Sequence, residues 1–436
     1  MSRRIVRQLA SRLLGWAPYG SFVHAVGALS FVRLIGGLVL FLSQILLARW
    51  MGRDAFGIYS YAWAWVAVLA SVANLGLGGA SVRFLATYRV DKDEPRIRGL
   101  LRFGTAVTLS CASAIALFGL LFSALAAGNS PYLASLQIAF LAIPALALLA
   151  LDAAYARGFN WMTMSAVAEQ IGRPLVLIVL GGLWVSAYGR AAAASWVALC
   201  AGSYFVAALA QHGVVRLRIS GEIGAGPTER DTTLWLRVSF AMLLLSAAQM
   251  IRMNTDLIVV GVMLGPADVG IYTAAVRAAT LVSFLLTVAS VVAQPRMAAM
   301  HAQGRREELR RFVKWSTRSI LVVSLMIGGA LAIVGERVLG FFGSEFVSGY
   351  PVLLVLIAGH VIAAASGPLT SLLTMTGHQG RAAALHGVST LTNALFIALL
   401  TPRFGIVGAA LATSLNLALT QVALIIAARQ QLGSSD

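Results

Sequence analysis

Apolar residues run along this chain in stretches of about 20, separated by short polar or charged segments. A stretch of that length, wound as an α-helix, matches the hydrocarbon thickness of a bilayer. The short alternating segments that a membrane-spanning strand needs are not found. The pattern predicts twelve transmembrane helices, near 28–48, 57–78, 102–126, 132–154, 163–184, 190–210, 238–262, 269–292, 317–337, 350–374, 382–400 and 404–427. The expected fold class is all-α and polytopic. Residues 1–27 read as an amphipathic cytoplasmic segment. Ile5, Leu9, Leu13 and Trp16 share one helical face, opposite Arg3, Arg4 and Arg7, a pattern suited to an anionic leaflet. Residues 211–237, with Gly221, Gly224, Gly226 and Pro227, read as a linker between an N-lobe (28–210) and a C-lobe (238–427), followed by a tail, 428–436.

Charge fixes the orientation. Of the 33 basic residues, 24 fall on the side that holds both termini and the segments after even-numbered spans. Arg49, Arg53, Arg190, Arg337 and Arg403 fall on the other side, and Arg33, Arg173, Arg252 and Arg277 lie inside spans. Short cytoplasmic loops carry the excess of lysine and arginine, so both termini are expected in the cytoplasm of a cell inner membrane.

The chain also repeats itself. Gly52, Gly57, Ile58 and Tyr59 recur 213 residues later as Gly265, Gly270, Ile271 and Tyr272, and the same shift pairs Arg83 with Arg296. A shift of 219 pairs Gly158 with Gly377, Gly189 with Gly408 and Ser195 with Ser414. A unit of six spans contains an even number of crossings, so the two copies share one orientation. Two like-oriented six-helix lobes around a central cavity are expected.

Composition supports lipid as the solvent. Only 11% of the residues are charged and 59% are hydrophobic, and mean hydropathy is +0.84. A net charge of +17 would suggest nucleic acid in a soluble chain, but here the basic residues are explained by topology. Cys111 and Cys200 sit inside apolar runs and read as packing residues. The sequence shows no catalytic constellation, metal-ligand spacing or nucleotide-binding loop, so no catalytic residue, metal or cofactor is expected. The loops on the outer side are too short to hold a sugar acceptor for a polymerase.

Charge inside a span costs several kcal/mol unless it is paired or wet, which marks the site candidates. Arg33, Arg173, Arg252 and Arg277 are expected to face a substrate cavity, with Asn254 and Gln249 beside Arg252. Glu169 precedes Arg173 by four residues and Asp256 follows Arg252 by four, so each is expected to pair on a helix face and to serve as a possible coupling carboxylate. Arg83 and Arg296, at the cytoplasmic ends of the second and eighth spans, are expected at the cytoplasmic mouth.

The segment Gly52–Tyr59 after Leu-Leu-Ala-Arg49-Trp-Met, and the run Asn74-Leu-Gly76-Leu-Gly78-Gly79-Ala-Ser81, resemble the polysaccharide transporters, including O-antigen flippases, of the multidrug/oligosaccharidyl-lipid/polysaccharide superfamily. The resemblance implies two six-helix lobes in a V and alternating access. It implies a lipid-linked oligosaccharide, carried on a polyprenyl diphosphate, as cargo, and other glycan-assembly membrane proteins as possible partners. Peptidoglycan-precursor flippases of the superfamily carry two further spans, which this chain lacks. The alternatives are a cation- or proton-coupled drug antiporter of the superfamily, whose cavity should be acidic, and a membrane-embedded glycan polymerase.

Overall fold

The computed structural model describes residues 17–125, 130–189, 192–302, 305–365, 369 and 379–433. Residues 1–16 of the amphipathic segment and the end of the tail lie outside the described residues, and so does the side chain of Arg296. The chain winds into α1 (Ala17–Ala73), α2 (Leu77–Val90), α3 (Glu94–Leu125), α4 (Leu133–Leu141) and α5 (Ile143–Gly158). Next come α6 (Met164–Val167), a π turn (Ala168–Gly172), α7 (Arg173–Tyr188) and α8 (Ala193–Glu222). The second half contains α9 (Thr232–Met263), α10 (Pro266–Ala302), α11 (Arg306–Phe342), a 3-10 turn (Ser344–Gly349), α12 (Tyr350–Ala364) and α13 (Gln379–Gly433). Among the described residues there is no strand.

Eight of these helices are long and apolar enough to cross a bilayer, and the bent pair α4–α5 makes nine. Two of the eight, Val32–Ala73 and Gly387–Ile426, run 42 and 40 residues, roughly 60 Å and twice the hydrocarbon thickness. Each is broken by a glycine in the left-handed region, Gly52 at φ 74° and Gly405 at φ 58°, which a side chain would strain. Residues 33–44 before the Gly52 break and 59–67 after it line the same cavity, so α1 folds back as two spans. With α13 divided in the same way and the 37-residue α10 counted as a span, the order of segments matches the twelve read from the sequence. Other bends have local causes. Pro144 opens α5 where it meets α4 at 43°, and Pro174 follows the π turn at the start of α7. Each proline removes a helix N–H and loosens the turn before it.

The two copies of the sequence repeat meet. A Cβ on Gly57 would lie 1.8 Å from the carbonyl oxygen of Pro266, and one on Gly270 would lie 2.1 Å from that of Arg53. Residues 53 and 266 are themselves 213 apart, so the contact is reciprocal. Residue i touches j′ while j touches i′, the signature of a two-fold axis between like units. Only glycine lets the backbones approach this closely, as small residues commonly do in lipid. Around the crossing Ala274, Ala275, Ala278 and Ala279 are fully buried, Phe56 packs edge-on against Phe346, and Phe41 against Phe342.

At this end the lobes share one core, which runs from Leu47 and Tyr59 to Tyr272 and Phe346. At the opposite end the cores are separate among the described residues. One joins Leu85, Leu101, Tyr155 and Val215 of the N-lobe, and another joins Met297, Leu309, Val313 and Leu369 of the C-lobe. The linker is strapped to the N-lobe. Arg98 donates to the carbonyls of Gly224 and Pro227 at 2.8 and 2.9 Å, and the indole N–H of Trp235 donates to the Tyr88 hydroxyl at 3.0 Å. Trp235 is fully buried in the N-lobe core. Residues such as Leu117, Phe118, Leu121 and Phe122 of α3 are exposed and form a lipid-facing surface.

Candidate functional site

Between the lobes lies a cavity of about 880 Å³. The first half of α1 contributes Arg33, Leu34, Leu38, Phe41 and Gln44, and the second half contributes Tyr59, Ser60 and Trp63. Gln170 of the π turn, Arg173 of α7 and Tyr204 of α8 complete the N-lobe wall. Asn254 and Leu257 of α9, with Arg277 and Thr280 of α10, form the C-lobe wall. Among the described residues, three arginines line the cavity, with no aspartate or glutamate. Among the described residues none of the three forms an ion pair with a carboxylate.

Each arginine is positioned by its element. Arg173 is only 6% exposed. Its guanidinium lies over the Tyr204 ring at 4.6 Å and reaches Cys200 Sγ at 3.8 Å, a cation–π seat that fixes the fork in a dry wall. Tyr59 approaches the same sulfur at 3.5 Å, and Trp63 packs on Tyr204 at 4.9 Å, so two further aromatic rings pack on the groups that hold the guanidinium. Arg33 stands three residues before Gly36. A Cβ on Gly36 would lie 2.7 Å from the Gln170 Cβ, so the glycine brings α1 against the π turn. Arg277 projects from α10 into the cavity between the fully buried Ala275, Ala278 and Ala279. The Nε atoms of Arg33 and Arg173 and the indole nitrogen of Trp63 are buried with no hydrogen-bond partner among the described residues. Donors left in this state are costly unless an acceptor enters.

The remaining sequence candidates fall elsewhere. Arg252 is half-buried and does not line the cavity, although Asn254 does. Residues two apart on a helix point about 160° away from each other, so both cannot face one space. Gln249 is exposed and away from the lining. The expected ion pair of Arg252 with Asp256 is not made. Asp256 instead accepts from the Tyr272 hydroxyl at 3.1 Å and from the Leu257 N–H at 2.9 Å. Nor does Glu169 pair with Arg173. The π turn that separates them winds an extra residue into the helix. Arg173 turns inward to Tyr204, and Glu169 stays exposed near Arg157. Arg83 is exposed on α2, outside the lining. A separate buried carboxylate, Asp152, is held by His212 Nδ1 at 3.0 Å and ties α5 to α8.

Sequence reasoning missed Tyr59, Trp63, Tyr204, Gln170 and Gln44. Tyr59 belongs to the repeated motif, which was its available signal. The other aromatic residues look in sequence like any lipid-facing ring.

Comparison with known proteins agrees with this architecture. Residues 22–301 match the family described as polysaccharide biosynthesis protein. The chain is 26% identical over 169 residues to the probable low-salt glycan biosynthesis flippase Agl15 of Haloferax volcanii, which covers 38% of this chain and 36% of that protein. Its fold is similar to the inward-facing conformation of a multidrug resistance MATE family transporter of the MOP superfamily, with TM-score 0.75, 13% identity, and 93% and 98% of the two chains covered. It is also similar to the lipid II flippase MurJ in an inward closed conformation, with TM-score 0.72, 13% identity, and 92% and 87% covered. At these identities the structures speak for the fold alone, twelve helices in two lobes. The family match extends over well more than half of the sequence, and the chain therefore belongs to the polysaccharide biosynthesis protein family.

Proposed function

We propose that this protein is a flippase that moves a polyprenyl-diphosphate-linked oligosaccharide, such as an O-antigen or exopolysaccharide repeat unit, from the cytoplasmic to the periplasmic leaflet of the inner membrane. It works by alternating access, with both termini in the cytoplasm, and acts as a transporter without catalysing a reaction. One observation supports this reading above the others: Arg33, Arg173 and Arg277 enter one interlobe cavity that has no acidic residue in its lining among the described residues. A diphosphate and its sugars cannot enter hydrocarbon unaided. Planar guanidinium forks satisfy phosphate oxygens through paired donors, and their strength rises as water is excluded. A cavity for cationic drugs would require the opposite polarity.

Tyr204 and Trp63 offer apolar ring surface beside the arginines, and Leu34 and Leu38 continue an apolar wall toward the exposed face of α1. The polyprenyl chain stays in lipid along that wall. Two negative charges leaving a negative interior gain about 4–5 kcal/mol per 100 mV, so the loaded step runs downhill. The test is surface glycan display in cells that lack their own flippase, at matched membrane abundance. Simultaneous replacement of Arg33, Arg173 and Arg277 by alanine should abolish display. Normal display by that variant would overturn the proposal.

A further inference from the structure

Helix α11 begins at the end of the molecule opposite the Gly52 crossing, and its two faces differ. Leu309 and Val313 are buried in the C-lobe core with Met297, and Ser316 and Ile320 continue that buried face. On the other side Val322, Leu325 and Met326 are exposed, the apolar surface that lipid covers. Side chains turn about 100° per residue along a helix. By that count Arg311, Lys314, Trp315 and Arg318 fall with Val322, Leu325 and Met326 in one sector about 120° wide, and all four are exposed. The lipid-facing stripe of α11 therefore ends in three cations and a tryptophan.

Helix dimensions place this cluster in depth. Arg318 and the exposed Glu336 lie roughly 27 Å apart along α11 at 1.5 Å per residue, close to the thickness of the hydrocarbon core, so each marks one of its edges. From Arg318 out to Arg311 the helix rises about 10 Å more, through the layer of phosphate headgroups. Trp315 stands between them, 66% exposed, at the depth where indole rings favour the interface. Phe312, packed on the C-lobe core, steadies its ring at 6.4 Å. Among the described residues, Arg311, Lys314 and Arg318 form no ion pair with a carboxylate. Glu308 is taken by Arg305 at 3.0 Å, and Glu307 lies about 6 Å farther from the membrane than Arg311. A charge that only sets topology can point in any direction, whereas these three share the stripe that faces lipid. Their complement is a negative headgroup held in the plane of the bilayer. We propose that this end of α11 is a binding site for an anionic phospholipid of the phosphatidylglycerol type. Arg311, Lys314 and Arg318 surround its phosphate, and Trp315 lies against its glycerol and the first part of its acyl chains. In the proposed orientation this edge faces the cytoplasm. The four residues are absent from the lining of the interlobe cavity, so the site takes a lipid of the surrounding bilayer and stands apart from the anion-cavity reading.

The experiment uses the purified full-length protein in vesicles of phosphatidylglycerol and phosphatidylcholine in equal amounts, with one or the other brominated on its acyl chains. Bromine quenches tryptophan on contact, and the difference between wild type and Trp315→Phe isolates the signal of Trp315. Brominated phosphatidylglycerol should quench that signal at least about threefold more efficiently than brominated phosphatidylcholine, given the strength of a basic side chain at an anionic headgroup. Combined Arg311→Gln, Lys314→Gln and Arg318→Gln should bring the ratio close to one. Combined Lys92→Gln, Arg230→Gln and Arg237→Gln, which removes as much charge from exposed positions on the same side, should leave it unchanged. An equal ratio in the wild type overturns the site, and so does an absence of quenching by either lipid, which would put something other than lipid against Trp315. A control variant as depleted as the first overturns the assignment to this stripe. Should the first variant not fold, salt replaces it. At about 1 M salt the screening length falls to about 3 Å, and the wild-type ratio should fall toward one. A ratio unmoved by salt overturns the proposal.

Discussion

Arg173 and Arg252 carry the same charge inside spans, yet their surroundings differ. Arg173 is sealed into an aromatic wall with its Nε unpartnered, whereas Arg252 is half-buried on the far side of α9 from Asn254. Charge-assisted hydrogen bonds are worth about 1.5–3 kcal/mol each, so Arg173→Ala should lower glycan display by more than about tenfold. Arg173→Lys keeps the charge but loses the planar fork and its ring stacking, and should fall between the two. Arg252→Ala should remain within about twofold of wild type, the scale of a solvent-accessible charge. Quantified display at matched membrane abundance checks all three. A dead Arg252→Ala beside an active Arg173→Ala would reverse the assignment.

Among the elements, the Gly57–Gly270 crossing permits a sharp comparison. At either glycine an added Cβ would strike backbone at 1.8–2.1 Å, and backbone cannot rotate aside. Gly57→Ala and Gly270→Ala should each destabilise the protein by about 1–3 kcal/mol through overpacking. Gly202 and Gly213 of α8 have open space where a Cβ would go. Alanine there should be neutral or stabilising by up to about 1 kcal/mol, because it restricts the unfolded chain. Thermal unfolding in detergent should show Tm falling for the first pair and holding or rising for the second. A fall at Gly202 equal to that at Gly57 would remove the crossing from the explanation.

On the scale of the whole molecule, the lobes share one core at the Gly52 end; at the other, among the described residues, they carry separate cores and touch where Gly76 lies against the Ser239 backbone. The join at the Gly52 end includes the Arg53 backbone N–H, which donates to Glu345 Oε2 at 3.4 Å across the lobes. For alternating access this end must open. Cysteines at positions 53 and 345, in a background free of Cys111 and Cys200, should be bridged by a short thiol-thiol cross-linker. Display should stop and return when the link is cleaved, whereas continued transport by the linked protein would rule out opening at this end. Topology is checked independently. Reporter fusions after Gly224 and after Asp436 should both report the cytoplasm, and a periplasmic signal from either would contradict the orientation drawn from the loop charges.

The sequence by itself determined the spans, the class of fold, the repeat and the candidate arginines. Those features rest on one-dimensional quantities: the length of an apolar run, the period of a helix, and the cost of charge in lipid, which holds wherever the residue points. It located Arg33, Arg173 and Arg277, which share the cavity lining, and the glycine motif that forms the crossing. Which charges face one another was decided by tertiary structure alone. The pairing expected of Glu169 with Arg173 and of Arg252 with Asp256 assumed that four residues along a helix settle a partner. A π turn and the pull of Tyr204 redirected Arg173, and Tyr272, from another helix, took Asp256. The aromatic wall and the arginine it holds likewise assemble from three helices, α1 and α8 for the rings and α7 for Arg173, that no local spacing connects. Rotation about a helix axis is set by what packs against it, and that information lies in the neighbouring helices, outside the segment itself.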